Sequence, residues 1–277
     1  MTSNQTDYGK AGRNLPVATA VGLGLLATVI ASLFIDVRFF AILVAFAAML
    51  AVRELSKSLA VGLSDRMSIL LQILAPAMVV SAAIAGVAGL LAAFVGSALL
   101  VLTFRLLDGQ EAYVHHVTRS IFTLVYAPLL AGFAVLLSTQ TDGAWKVLAF
   151  ILLTAATDFG GYVAGALFGK HPMAPEISPK KSWEGLVGSI IFTTLGGSLM
   201  FHYVLDIHWH IGAIVGLLIV FTATSGDLIE SAMKRDLHLK DMGSLLPGHG
   251  GVLDRLDSVL LSAPALWLAL ELVSRYL

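Results

Sequence analysis

Nine apolar windows, each near the length that a helix needs to cross hydrocarbon, dominate this chain. They fall at roughly 16–35, 38–52, 67–85, 86–103, 120–138, 144–167, 185–205, 209–229 and 256–275. About 20 consecutive apolar residues span a bilayer core. A backbone in lipid must satisfy its own hydrogen bonds, so windows of this length become helices. The expected fold is therefore an all-α integral membrane protein, a polytopic bundle of about nine transmembrane helices. The second window is short, and only Gly86 and Gly89 divide the third from the fourth. Composition agrees: 57% of residues are hydrophobic and 13% are charged, against about 25% charged in soluble domains. A single membrane domain over 1–277 is expected. It comprises a polar stretch at 1–15, N-terminal spans at 16–138, and spans and loops bearing the chemistry at 144–277. Lys10 and Arg13 ahead of the first window resemble the start of a signal peptide. No clear small-residue cleavage site follows, so the window reads as a retained span. There is no cysteine, which excludes disulfides, thiolate catalysis and Cys-ligated zinc.

Charge sets the expected orientation. With the N-terminus in the cytoplasm and the C-terminus outside, the cytoplasmic segments hold Lys10, Arg13, Arg53, Lys57, Arg66, Arg105, Arg119, Lys170, Lys180, Lys181, Lys234, Arg235, Lys240 and Arg255. That is 14 of the 17 basic residues, leaving Arg38, Lys146 and Arg275 outside. Such a bias follows the positive-inside rule. Arg53, Glu54 and Lys57, and the Arg105–Arg119 connection, read mainly as topology anchors. Cationic span ends also suit an anionic lipid headgroup. His202, His208 and His210, on the outer side, make an unconvincing metal site.

The chemistry concentrates between Asp227 and Asp257. Ten of the 35 Asp, Glu, Lys and Arg residues fall in these 31 positions. Charged groups beside a bilayer are costly, so their concentration marks a working site. Asp227, Glu230, Ser231 and Lys234 lie at offsets of 0, 3, 4 and 7, along one helical face. Carboxylates bind hard cations and lysine neutralises phosphate, so a site for a divalent metal and phosphates is expected. Lys240 and Asp241 follow, and then the turn Pro247–Gly251. Glycines at Gly248, Gly250 and Gly251 would let backbone N–H groups approach phosphate oxygens. His249 suits a phosphate donor, a general base or a turn residue. Asp254, Arg255 and Asp257 open the last span, where carboxylates also complement the helix dipole.

A second constellation runs from Asp158 to Ser182. Asp158 and Tyr162 are four apart on one face, and an acid inside a span usually faces a polar interior. Gly161, Gly165 and Gly169 recur every four residues, a spacing that brings helices together. Ser178, Lys180, Lys181 and Ser182 form a basic, hydroxyl-bearing loop suited to phosphate, and Trp183 suits the membrane interface.

The 27 consecutive positions Ser231–Asp257 resemble the signature of the phosphatidate cytidylyltransferases, or CDP-diacylglycerol synthases. The pattern is Ser231-x-Met233-Lys234-Arg235, then Lys240-Asp241-x-Gly243, then Leu246-Pro247-x-His249-Gly250-Gly251-Val252-x-Asp254-Arg255-Leu256-Asp257. The segment at 177–185 resembles the family's lysine-bearing loop. Asp158–Gly165 resembles its Asp-x-x-Ala-Tyr-x-x-Gly, with Gly161 in place of alanine. The likeness covers the C-terminal part of the chain; the N-terminal half matches only in being several spans.

The resemblance implies transfer of CMP from CTP to phosphatidic acid, giving CDP-diacylglycerol and pyrophosphate. It implies a divalent cation, Mg²⁺ or Mn²⁺, with K⁺ as a further candidate, and a homodimer; the charge bias puts the site on the cytoplasmic side, and nine spans without a targeting sequence suit a bacterial plasma membrane. The resemblance places the metal on Asp227 and Asp254, with Asp257 a third candidate ligand. Asp227, Lys234, Lys240, Asp241 and Asp254 are the expected catalytic residues. Asp158, Tyr162, Lys180, Lys181, Ser182, Ser231, Arg235, Gly248, His249, Gly250, Gly251 and Arg255 are expected at the substrates. Two other readings stand beside it: a CTP-dependent enzyme acting on an isoprenoid or ether lipid, and a membrane transporter. A transporter would set its charges near the midplane, whereas these cluster at span ends and in loops.

Overall fold

The computed structural model describes residues 15–59, 64–245 and 250–276, with side chains from residue 22 onward. The apolar windows become helices whose bounds differ from the expected ones by up to seven residues; the third and fourth windows fall in one helix, and the fifth is divided between two. They are α1 (Leu15–Ile35), α2 (Val37–Ser58), α3 (Asp65–Arg105), α4 (Tyr113–Leu124), α5 (Leu130–Ser138), α6 (Gly143–Phe168), α7 (Trp183–Tyr203), α8 (Trp209–Asp236) and α9 (Leu253–Tyr276). A π-helical turn at Val125–Leu129, containing Pro128, joins α4 to α5 without a break. Among the described residues, seven helices are long and apolar enough to cross a membrane.

Helix α3 is 41 residues long, but Ala85 and Gly86 leave helical geometry inside it, Gly86 with φ of 61°. Positive φ favours glycine because it has no Cβ to clash. In a straight helix residues 81 and 89 would stand about 12 Å apart along the axis. Here a side chain on Gly89 would meet the carbonyl of Ser81, so the two halves meet at a sharp bend. The Gly86–Gly89 punctuation therefore marks a bend in one helix.

Buried apolar side chains form one continuous core, including Leu55, Met78, Leu137, Phe150, Phe201 and Ile219. Large apolar side chains also cover the outside, among them Phe39, Ile84, Leu99, Phe159, Leu195, Phe221 and Leu268. A soluble surface does not carry so much apolar area; a lipid-facing one does.

Helices α6, α7 and α8 pack by close backbone contact. Gly185 of α7 faces Gly161 and Gly165 of α6, and a Cβ on Gly185 would lie 2.9 Å from the Gly161 carbonyl oxygen. The four-residue glycine spacing thus serves packing. Gly226 of α8 meets the Asp257 backbone of α9 in the same way. Between α6 and α7 the expected basic loop is a two-stranded antiparallel hairpin, β1 (Pro172–Ala174) and β2 (Ser178–Ser182). Ser182 caps α7 by accepting the Gly185 N–H at 3.1 Å. Glu184 secures the hairpin's start by accepting the N–H groups of Lys170 and His171 and pairing with the His171 ring.

Candidate active site

Five pieces of chain converge at one end of the bundle: the C-terminal thirds of α6 and α8, the β-hairpin, the end of α2 and the start of α9. The ends of α6 and α8, the hairpin and the start of α7 enclose a cavity of about 360 Å³ lined by Asp158, Tyr162, Lys180, Lys181, Ser182 and Asp227, with Thr157, Ser189 and Thr224 also on its wall. The second constellation and the first residue of the signature region therefore share one chamber.

Within it, Lys181 Nζ pairs with Asp227 Oδ2 at 2.7 Å. The other carboxylate oxygen of Asp227 accepts the Ser231 hydroxyl at 3.2 Å, as their spacing of four predicts. Thr157 and Thr193 hydroxyls meet at 2.9 Å behind the cavity, and Ser189 donates to the Thr157 carbonyl at 2.6 Å. These bonds tie α6 to α7 behind the chamber. On the hairpin side, Arg235 Nε donates to the Ile177 carbonyl at 3.3 Å, tying the end of α8 to the strand turn.

Beside the cavity lies a buried ion network. Lys234 Nζ donates to Glu230 Oε2 at 2.7 Å and to Asp254 Oδ1 at 3.0 Å. The Glu230 and Asp254 side chains are 0% and 2% exposed, and that of Lys234 is 18% exposed. Asp254 Oδ2 accepts the backbone N–H groups of Met242 and Gly251, both at 2.9 Å. Asp254 therefore anchors the loop as well as the lysine. Asp257, one turn along α9 from Asp254, accepts the Ser258 N–H at 2.6 Å. Carboxylates outnumber the ammonium groups among them.

Not every expected residue reaches the cavity. Lys240, Asp241 and Arg255 are exposed on the loop and at the start of α9. Gly250 has φ of 84° and lies against Asp241 and Asp254, so its conformation requires glycine there. The Gly251 N–H, expected to face phosphate, donates to Asp254 instead. Gly248 and His249 lie outside the described residues, as do Leu246 and Pro247.

The structure adds residues that the motif reading passed over. Glu54, taken as part of a topology anchor, is buried at 8% exposure, and its carboxylate accepts the N–H groups of Val252 and Leu253. Tyr126, in the π-helical turn, is also buried. The one signal available for Glu54 was a carboxylate among basic residues at the cytoplasmic end of a span.

The donor set suits a hard cation. Asp227, Asp254 and Asp257 offer oxygens only, and Glu230 Oε1 is buried with no hydrogen-bond partner. Among the described residues, no three acidic or histidine side chains form a ready metal cage. Mg²⁺ commonly takes one or two carboxylates and completes its shell with water and substrate phosphates, so a partial protein shell fits it.

Comparison with known proteins identifies the family. A family model described as the cytidylyltransferase family matches residues 16–273. The phosphatidate cytidylyltransferase of Mycobacterium leprae (strain TN) is 38% identical over 289 residues, covering 99% of this chain and 93% of that protein. The one from Mycobacterium tuberculosis (strain CDC 1551 / Oshkosh) is 37% identical, over 97% of this chain and 86% of its own. A more distant phosphatidate cytidylyltransferase, from Staphylococcus aureus (strain COL), is 32% identical over 64% of this chain and 67% of its own. A match that runs through the N-terminal spans as well as the signature, on a bundle that gathers the signature's charges at one end, makes this chain a member of the cytidylyltransferase family.

Proposed function

We propose that this protein transfers CMP from CTP to phosphatidic acid, releasing pyrophosphate and forming CDP-diacylglycerol. The observation that carries the reading is the match to phosphatidate cytidylyltransferases over nearly the whole of this chain. The site geometry supports it. A polar chamber bearing lysines and carboxylates opens within helices that face lipid, which suits a reaction between a soluble polyanionic nucleotide and a bilayer-bound phosphate.

The lipid phosphate is itself a nucleophile, so no protein nucleophile is needed. Its oxygen attacks the α-phosphorus of CTP, the bond to the β-phosphate bridging oxygen breaks, and pyrophosphate leaves with that electron pair. The protein's work is to offset anion–anion repulsion and to hold the two substrates in line. Lys181 and Lys180 face the chamber from the hairpin and would neutralise phosphate oxygens. Lys234 is fixed by Glu230 and Asp254, so its charge is set before substrate arrives, and preorganised charge costs no rearrangement during reaction. Arg235, Lys240 and Arg255 would attract phosphates at the mouth. Asp227 and Asp254, with Asp257 beside them, would hold Mg²⁺ or Mn²⁺. A bound divalent cation would supply charge neutralisation at the phosphate oxygens.

The same reading includes a topology. Each half of the bent α3 is long enough to span, so nine spans with the N-terminus inside put the hairpin, the signature loop and the ends of α2, α6 and α8 together on the cytoplasmic side. That is the side where CTP is found. Bacterial relatives suggest a bacterial inner membrane, and a homodimer completes the proposal.

The test is product formation by purified protein in lipid–detergent micelles, with phosphatidic acid or an isoprenoid-ether lipid phosphate as acceptor. CTP consumption that requires phosphatidic acid supports the reading. Activity restricted to the ether lipid would reassign the acceptor, and CTP inertness with every acceptor would overturn the reaction.

A further inference from the structure

We infer that Glu54 is a positioning residue for the active site, holding the signature turn from a helix that carries none of the signature. Glu54 Oε1 accepts the Val252 N–H at 3.0 Å, and Oε2 accepts the Leu253 N–H at 2.9 Å. The first N–H groups of a helix have no partner within it. At the start of α9 the residue ahead of the helix is Val252, whose side chain cannot accept a hydrogen bond. Glu54 supplies the missing acceptor from 198 residues away in sequence. Its negative charge also complements the positive end of the α9 dipole.

Two signature glycines find their reason here. A side chain on Gly243 would run into Glu54 Oε1, and one on Gly251 would run into Oε2. The carboxylate thus fills the space that both glycines leave open, and it touches both sides of the loop. Ser58, one turn further along α2, donates to the Met242 carbonyl at 3.2 Å and ties the same loop to the same helix. Met242 and Gly251 are the residues whose N–H groups hold Asp254, and Asp254 holds Lys234. The chain of contacts runs from Glu54 through the loop backbone to the charged pair, with no contact between Glu54 and the cavity.

Two consequences separate this role from general stability. The Val252 and Leu253 amides should exchange slowly with deuterium in the wild-type protein in micelles, although the opening amides of a helix without an external acceptor exchange freely. In Glu54→Gln one acceptor oxygen becomes an NH₂ donor facing a backbone N–H. Exchange across 241–245 and 250–256 should then rise about tenfold or more. In the same variant kcat should fall about 100-fold, as misplacement of a reacting constellation does. KM for CTP and for phosphatidic acid should stay within about twofold, because no substrate contact is lost. The kinetic outcome rests on the cytidylyl transfer proposed above, whereas exchange reports on the turn whatever reaction the protein catalyses. Fast exchange at Val252 and Leu253 in the wild type would overturn the inference without any variant being made. So would a Glu54→Gln protein with unchanged kcat, or one in which KM rises while kcat holds.

Discussion

Lys234 is the place where stability and catalysis should fail together for a calculable reason. Its ammonium bridges two carboxylates at 2.7 and 3.0 Å, and both are almost wholly buried. Replacement by Met keeps most of the side-chain volume and removes the charge. Two carboxylates then face one another with no cation, and breaking a buried pair in this way costs about 3–5 kcal/mol. Lys234 is partly exposed, so the lower end, about 3 kcal/mol, is the expected loss. For a protein of this size that corresponds to a fall of roughly 6–12 °C in Tm. Intrinsic tryptophan fluorescence during heating in micelles would read it. Turnover should fall about 100- to 1,000-fold, the range for losing one preorganised charge at a reacting oxygen. The second variant, Lys234→Met with Glu230→Gln, removes one of the two stranded charges. It should recover part of the Tm and none of the activity. A Lys234→Met protein whose Tm stays within about 2 °C of wild type would refute the ion-network argument, and one keeping more than roughly a tenth of its turnover would remove Lys234 from the chemistry.

Other outcomes follow from the same geometry. Asp227→Asn should abolish CMP transfer and leave Tm nearly unchanged, because among the described residues Asp227 bonds Lys181 and Ser231 and no backbone group; Asp254→Asn should lose activity and Tm together, because it also anchors Met242 and Gly251. Turnover and thermal scans on the two variants side by side would show the split. Gly185→Val should destabilise by about 1–3 kcal/mol through overpacking against α6, seen as a lower Tm and poor recovery from detergent. His208→Ala, at the opposite end of the bundle, should turn over CTP at the wild-type rate in the same assay.

The helical fold was legible because hydrocarbon imposes one length and one secondary structure on every window that crosses it. Even the bend in α3 had a trace, in Gly86. The glycines of α6 were legible as packing residues because four-residue spacing lines up one helix face. Asp227, Ser231 and Lys234 were legible as a group for the same reason, and the structure adds Lys181 from the hairpin and Asp254 from α9 to them. The role of Glu54 was not legible. Its partners are backbone N–H groups on a distant segment, and backbone donors leave no mark in side-chain identity. Gly251 was misread for the related reason that a glycine beside phosphate chemistry and a glycine making room for a carboxylate look alike in sequence. The hairpin at 172–182 escaped because its short strands carry polar residues and two prolines, which mask any alternation.

The most direct measurement is transfer of label from [α-³²P]CTP to phosphatidic acid by the purified protein, with Mg²⁺, with EDTA, and with Asp227→Asn. The account predicts labelled CDP-diacylglycerol with Mg²⁺ alone, released pyrophosphate in equal amount, and no labelled lipid with EDTA or in the variant. Labelled lipid that forms equally well in EDTA, or from Asp227→Asn, would contradict it.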